Sequence, residues 1–70
     1  IGFRLTVLGK NGVYIEGVKR LLDISPNKID VDVKRKIIIL NGINLNVKSL
    51  GDGDACISGE ITGFEIKDKQ

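Results

Sequence analysis

The stretch KRKIIILNGINLNVKSL, residues 34–50, decides the fold of this chain. It begins with a continuous apolar run at residues 37–40 and then alternates apolar and polar residues from 43 to 47. The apolar positions change from even to odd numbers across Asn41-Gly42. This change of phase requires either a bulge, which inserts one residue into a strand, or a two-residue hairpin, which reverses the chain. Both alternatives place the following apolar side chains on one shared face: Ile38, Leu40, Ile43, Leu45 and Val47.

Ile37 and Ile39 then point to the opposite face of the strand. Two explanations are open. Either they contact another molecule, or a second sheet of the same chain covers them, built from Phe3, Leu5, Val7, Phe64 and Ile66. The window of residues 37–45 is uncharged and β-prone, so it favours self-association wherever it is exposed. Ile37 and Ile39 are therefore candidate self-association residues.

Asn44 and Asn46 are further candidates for self-association. They point away from Leu45 and Val47 in the alternating segment, and the amide side chains of stacked copies can form hydrogen-bonded ladders. Simple solvation of an outer sheet face also explains them. The sequence leaves both explanations open.

Period-two alternation recurs on both sides of the opening stretch and predicts an all-β chain. The clearest half-buried strand is residues 29–33, where Ile and Val alternate with Asp. Residues 17–22 are the best helix candidate, but they lack a cap residue and their β-branched neighbours favour a strand. We expect one all-β domain over residues 1–70, folded as a small antiparallel sandwich or rolled sheet.

Three short segments carry turn residues. Gly9-Lys10-Asn11-Gly12 predicts a hairpin with a type I′ turn at Asn-Gly. Ser25-Pro26-Asn27-Lys28 predicts a type I turn, because proline presets φ at the second position. Gly51-Asp52-Gly53-Asp54 predicts the most flexible connection in the chain.

Glycine marks a repeated pattern. The motif apolar-x-apolar-x-Gly ends at Gly9, Gly17, Gly42 and Gly59, which is consistent with an internal pseudo-repeat. The alternation changes phase around these glycines, and glycine tolerates the dihedral angles of a bulge or sharp bend. We therefore predict structural bends at Gly17, Gly42 and Gly59.

Composition narrows the classes of function. The chain has no His, so the commonest general base and zinc ligand is missing. No serine lies in a nucleophile motif, and no glycine-rich loop precedes a helix. We therefore expect no enzyme activity, no metal, no cofactor and no small-molecule substrate. The only cysteine, Cys56, lies between Ala55 and Ile57, which predicts that its thiol is buried in the core.

Charge and termini add two expectations. The formal net charge of +2 is too balanced to indicate nucleic-acid binding by itself. Because the chain begins at Ile1 and contains no Met, we expect that its native N-terminal segment is missing.

Four short motifs resemble the YabP/YqfC family of sporulation proteins: VYIEGV, NGINL, VKSL and CISGEI. The family's first β segment carries an apolar-x-apolar-x-Gly-Val element, which matches residues 13–18. Its second segment carries Gly-x-Asn-Leu, which matches residues 42–45, and a later apolar-x-Gly-x-apolar element matches residues 57–61. The resemblance covers residues 5–66. It departs at Lys36, where the family often has a turn glycine.

This resemblance implies a non-enzymatic structural protein of bacterial endospore formation, acting in assembly of the spore envelope, cortex or coat. It implies a cytoplasmic location on the mother-cell side of the developing spore, with membrane association left open. The expected partners are other copies of the chain, in a homo-oligomer, or another sporulation protein.

The alternative function is a peripheral binding module. Its basic face would contact an anionic membrane or a nucleic acid. The residues that could form this face are Lys19, Arg20, Lys34, Arg35, Lys36 and Lys48. Nucleic acid is the weaker of the two ligands, because β-type readers usually add stacking aromatics and this chain has few.

Overall fold

The computed structural model describes residues 2–69, which form a single antiparallel sheet of six strands. The strands are β1 (Arg4–Val7), β2 (Gly12–Glu16), β3 (Val18–Ile24), β4 (Lys28–Val33), β5 (Lys36–Leu50) and β6 (Asp54–Asp68). Their order in the sheet is β1-β2-β6-β5-β4-β3, and the sheet is not closed. The predicted all-β class is confirmed, and residues 17–22 lie in a strand region rather than a helix.

The sheet is rolled because β5 and β6, each 15 residues long, bend in their middle. β2 pairs with residues 54–58 of β6, whereas β4 pairs with residues 36–41 of β5. We call β1, β2 and the segments 46–50 and 54–58 the first half-sheet. We call β3, β4 and the segments 36–41 and 61–68 the second half-sheet. Their inner faces share one core, so the rolled sheet is the form observed, rather than a sandwich of separate sheets.

β5 continues through Asn41-Gly42 without reversing, so the hairpin is wrong and a bulge accounts for the change of phase, although the residue inserted into β5 lies between Ile43 and Asn46. Pairing with β6 shifts register at this point. Backbone groups of the β3–β4 turn complete the interrupted ladder. The N–H of Gly42 donates to the carbonyl of Asn27 at 3.1 Å, and that of Leu45 donates to the carbonyl of Pro26 at 2.7 Å. The turn thus supplies acceptors that the bend would otherwise lack.

The predicted bend glycines differ in what they require. Gly17, between β2 and β3, has φ +86°, and Gly59, within β6, has φ +125°. Both angles lie in the region that favours glycine. Position 42 requires glycine for a different reason. A Cβ at that position would lie 2.2 Å from the carbonyl oxygen of Glu60, so only a residue without one allows β5 and β6 to approach so closely.

The core draws on the inner face of every strand except β1, whose Leu5 packs against it. Its buried residues are Val13, Ile15, Val18, Ile29, Val31, Val33, Ile38, Leu40, Leu45, Ala55 and Ile57. The predicted shared face is therefore correct for Ile38, Leu40 and Leu45. It is wrong for Ile43, which is 51% exposed, because β5 keeps its even-numbered residues inside through the buried Gly42 and changes phase only at the bulge between Ile43 and Asn46.

The prediction that Cys56 belongs to the core is wrong. Its neighbours Ala55 and Ile57 are buried, and side chains alternate along a strand, so Cys56 lies on the outer face of the first half-sheet. There it is opposite Tyr14 of β2 and Ser49 of β5, and it is half-buried.

The turns lie where the sequence predicted them, but their conformations differ from the prediction. β1 and β2 form the predicted hairpin, but the positive φ falls on Gly9 (+63°) and Gly12, not on Asn11, so the turn is not type I′. Residues 51–54 form the β5–β6 turn. The carbonyl of Gly53 accepts hydrogen bonds from the backbone N–H groups of Gly17 (2.7 Å) and Val18 (3.0 Å). These hydrogen bonds fix the position of a segment that the sequence predicted to be the most flexible connection.

Candidate functional site

Ile37 and Ile39 lie on the outer face of the second half-sheet, as their phase predicts, and both are half-buried. The explanation that a second sheet covers them is wrong. Phe64 and Ile66, which would have belonged to that sheet, are in the same sheet as Ile37 and Ile39 and pair with β5 on the inner face. Charged residues of β4 and β6 flank the two isoleucines instead. They form two rows across β4, β5 and β6, which are Asp30–Ile39–Glu65 and Asp32–Ile37–Lys67.

Asn44 and Asn46 do not join this surface. Asn44 has φ +55° and lies in the bulge between Ile43 and Asn46, so it interrupts the regular strand. Asn46 lies opposite Ser58 in the first half-sheet. Both side chains are exposed, but the bend separates them from Ile37 and Ile39, and the two asparagines do not occupy one regular row. An asparagine ladder would require such a row.

The basic residues are distributed over the molecule and partly neutralised. Five ion pairs occur among residues 2–69: Arg4–Glu16, Arg20–Asp32, Lys28–Asp30, Lys36–Asp68 and Lys69–Asp32. Two of the six candidates for a basic face, Arg20 and Lys36, are therefore paired with acids. Lys48 lies in the first half-sheet, whereas Lys34 and Arg35 form the turn between β4 and β5. Lys48 therefore lies apart from the other five candidates, which the pairing of β3, β4 and β5 brings to one end of the second half-sheet.

Asp32 is the buried acid of the second half-sheet, with 5% of its surface exposed. Lys69 contacts one of its carboxylate oxygens, and the Nε of Arg20 lies 3.2 Å from the other. The hydrogen bond from Lys69 is the main cause that lowers the pKa of Asp32. Burial opposes this effect, and the charges of Lys69 and Arg20 add to it. This arrangement attaches the C-terminal end of β6 to β4, so it stabilises the sheet rather than forming a reactive group.

Tyr14 and Asp54 form a second polar contact, on the outer face of the first half-sheet. The hydroxyl of Tyr14 donates to Oδ2 of Asp54 at 2.9 Å. This hydrogen bond raises the pKa of Tyr14, with smaller contributions from burial and from nearby acidic charge. The contact joins the middle of β2 to the first residue of β6, and its chemistry is that of a structural link.

The open sheet leaves four strand segments with an unpaired side, and three carry features that oppose pairing with another chain. β1 is only 4 residues long. β3 is interrupted by register shifts at Lys19 and Leu22. Residues 46–50 of β5 are interrupted at Lys48. Bulges, charges and short length are the usual protections of an edge strand.

The fourth segment, at the C-terminal end of β6, has no bulge in its pairing with β5, and its exposed charges are of both signs. Its pairing with β5 is regular from Gly63 to Asp68, and β5 is its only strand partner in the described chain. Every residue from Phe64 to Asp68 is exposed. Phe64 and Ile66 pair with the buried Leu40 and Ile38, yet they remain 47% and 45% exposed. We call residues 63–68 the open edge and regard it as the candidate functional site.

The sequence predicts only part of this site. Alternation identifies Phe64 and Ile66 as inner-face residues, with Glu65 and Lys67 outside. It does not say how many neighbours a strand has, and a strand with one neighbour exposes inner-face side chains that a second neighbour would cover. The regular spacing of the segment, without the bulges found in β3 and β5, was the available signal.

Two further findings bear on other classes of site. In the described chain, no three Cys, Asp or Glu side chains are grouped so that they could hold a metal ion, and no helix is long and apolar enough to cross a membrane. Comparison of this chain with protein-family models, with characterised proteins and with solved structures finds no match.

Proposed function

We propose that this chain is a non-enzymatic structural protein that works by self-association. Following its resemblance to the YabP/YqfC family, we propose that it serves assembly of the bacterial spore envelope, on the mother-cell side of the developing spore. The observation that carries the proposal is the open edge, where backbone hydrogen-bonding groups and two large apolar side chains are exposed together.

The energetics of the open edge favour a protein partner. Complete burial of an apolar side chain of this size contributes roughly 1.5–3 kcal/mol, and Phe64 and Ile66 are each about half exposed. A domain of 70 residues gains little from its own core, because it buries only about 60% of its unfolded surface. Covering the open edge would therefore add substantially to the stability of the chain.

The absence of His from the sequence supports a non-enzymatic role. The polar side chains that do meet also support it. Asp32 is engaged with Arg20 and Lys69, and Tyr14 with Asp54, so these groups are occupied in holding strands together. The distribution of charge gives less support to the alternative of a basic binding face, since two of its six candidate residues, Arg20 and Lys36, are already paired with acids.

Light scattering across a wide range of protein concentration tests the proposal. We expect the mass to rise from the 7.6 kDa of one chain to a multiple of it, with little dependence on salt, because backbone hydrogen bonds and apolar contacts dominate. A constant single-chain mass at high concentration would contradict self-association. Parallel binding measurements should use vesicles containing phosphatidylserine and a single-stranded oligonucleotide. Steeply salt-dependent binding to either, by a chain that stays monomeric, would favour the peripheral binding module.

A further inference from the structure

We propose that a second copy of the chain pairs with β6 along the open edge, antiparallel, with the two-fold axis at Ile66. The inference rests on the proposed function and names the partner and the register of the same site. It joins the two second half-sheets into one continuous sheet across the interface. Three properties of residues 63–69 carry it: the direction of the backbone groups, the limits of the regular segment and the order of the charges.

The first property is the direction of the backbone groups. The N–H of Lys69 donates to the carbonyl of Arg35 at 3.1 Å, so the groups of Lys69 face β5. In an antiparallel pair, the residues that bond to a given neighbour alternate along the strand. Because the register is regular from Gly63 to Asp68, Glu65 and Lys67 also bond to β5. The N–H and C=O groups of Phe64, Ile66 and Asp68 therefore point away from β5, toward the open edge.

The two-fold axis can lie at a hydrogen-bonded pair, which needs outward groups and allows Phe64, Ile66 or Asp68, or at a non-hydrogen-bonded pair, which allows Glu65 or Lys67. An axis at Glu65 or Lys67 places two like charges directly opposite each other, which destabilises an antiparallel pair. An axis at Asp68 places two Asp68 carboxylates opposite each other, and Lys67 opposite Lys69. An axis at Phe64 places Ile66 opposite Thr62, where the register with β5 is already shifted. Neither position gives a regular, complementary pairing.

An axis at Ile66 gives a pairing that is both regular and complementary. Ile66 then exchanges backbone hydrogen bonds with Ile66 of the second copy, and Phe64 pairs with the second copy's Asp68. On the outer face, Glu65 lies opposite Lys67 of the second copy, and the symmetry repeats this pair on the other side of the axis. Opposite charges in facing positions stabilise antiparallel strands. On the inner face, the two Ile66 side chains meet, and Phe64 lies diagonally within reach of the second copy's Ile66.

Charge reversal at Glu65 and Lys67 tests this register, since both side chains are exposed and the folded monomer does not depend on them. Glu65→Lys faces Lys67 with a second lysine, and Lys67→Glu faces Glu65 with a second acid. We expect each single variant to raise the dimer dissociation constant on the order of tenfold, measured by light scattering. The double variant Glu65→Lys plus Lys67→Glu restores opposite charges, so its dissociation constant should return to within a few-fold of the wild type.

Mixing the two single variants provides a second readout. At a concentration where each alone is monomeric, an equimolar mixture should recover the mass of a dimer, because one copy presents two lysines and the other two glutamates. Circular dichroism establishes that each variant is folded.

A dimer that is insensitive to these reversals, or that the double variant fails to restore, overturns the Ile66 register while self-association stands. A wild type that stays monomeric at every concentration overturns both proposals.

Discussion

Gly42 and Gly59 occupy equivalent positions in the two long strands. The backbone N–H of Gly42 donates to the carbonyl of Asn27, in the β3–β4 turn, at 3.1 Å, and that of Gly59 donates to the carbonyl of Asn11, in the β1–β2 turn, at 3.2 Å. Each glycine follows a strand segment paired with the strand that leaves the same turn. The two halves of the sheet therefore bend by the same device, which gives the repeated glycine motif a structural meaning.

The bend at Gly42 predicts a large cost for a side chain there. Its Cβ would lie 2.2 Å from the carbonyl oxygen of Glu60, a backbone atom that can move only with β6. We expect Gly42→Ala to lower the free energy of unfolding by about 1–3 kcal/mol, measured in urea. Gly63→Ala is the matched control, since a Cβ at Gly63 meets no atom within 4 Å. Equal stability of the two variants would contradict the account of the bend.

Cys56 and Ile57 are neighbours on opposite faces of β6, and they should respond differently to truncation. Ile57 is fully buried in the core, so we expect Ile57→Ala to destabilise the chain by about 2–5 kcal/mol. Cys56 is half-buried on the outer face, so Cys56→Ala should cost about 1 kcal/mol or less. Urea unfolding of both variants measures the difference. If Cys56→Ala lowered the free energy of unfolding as much as Ile57→Ala, Cys56 would belong to the core after all.

These residues show how far the sequence determines the fold. Alternation predicted the strands, their inner faces and the all-β class, because burial on one face imposes a period of two. The same rule places Cys56 outside once Ala55 and Ile57 are inside, whereas the apolar character of cysteine predicted a position in the core. The choice between bulge and hairpin at Asn41-Gly42 was undecidable locally. It depends on the carbonyls of Pro26 and Asn27, which reach the bend from a distant turn.

The candidate site was less predictable than the fold. Ile37 and Ile39 are apolar and out of phase with the core residues, which predicted a contact surface, but in the structure charged neighbours flank them. The open edge follows from strand order, which no local pattern encodes. Phe64 has the same alternation as a residue in a fully covered strand, and only the lack of a second neighbour beyond β6 exposes it.

The ion pairs of Asp32 predict a dependence of stability on acid pH. The pKa of Asp32 is lowered in the folded chain, so its carboxylate stabilises the fold above its unfolded pKa of about 4. This contribution is lost as the pH falls from there through the lower folded pKa. We expect Asp32→Asn to reduce stability at neutral pH and to flatten the loss on acidification, measured by urea unfolding between about pH 2 and pH 6. Asp52→Asn, in the exposed β5–β6 turn, is the control and should keep the wild-type slope.

Ile37 and Ile39 should contribute little to pairing along the open edge. They lie one strand inside it, on the outer face, so edge pairing does not bury them directly. We expect Ile37→Thr plus Ile39→Thr to leave a folded chain that keeps the wild-type oligomeric mass in light scattering. Ile38→Thr is the matched control and should destabilise the fold strongly, because Ile38 is fully buried. A folded double variant of lower mass would instead place the interface on the outer face.

Proline substitution at adjacent positions tests the direction of the backbone groups along the open edge. The N–H of Ile66 points outward, so Ile66→Pro removes no hydrogen bond from the monomer and should give a folded chain that no longer dimerises. The N–H of Glu65 bonds to β5, so Glu65→Pro should remove a hydrogen bond within the sheet and destabilise the monomer by about 1–3 kcal/mol. Urea unfolding reports the stability of each variant, and light scattering reports its mass. If both variants are equally destabilised, or if Ile66→Pro still dimerises, the alternation assigned to β6 is wrong and the second copy does not pair through these groups.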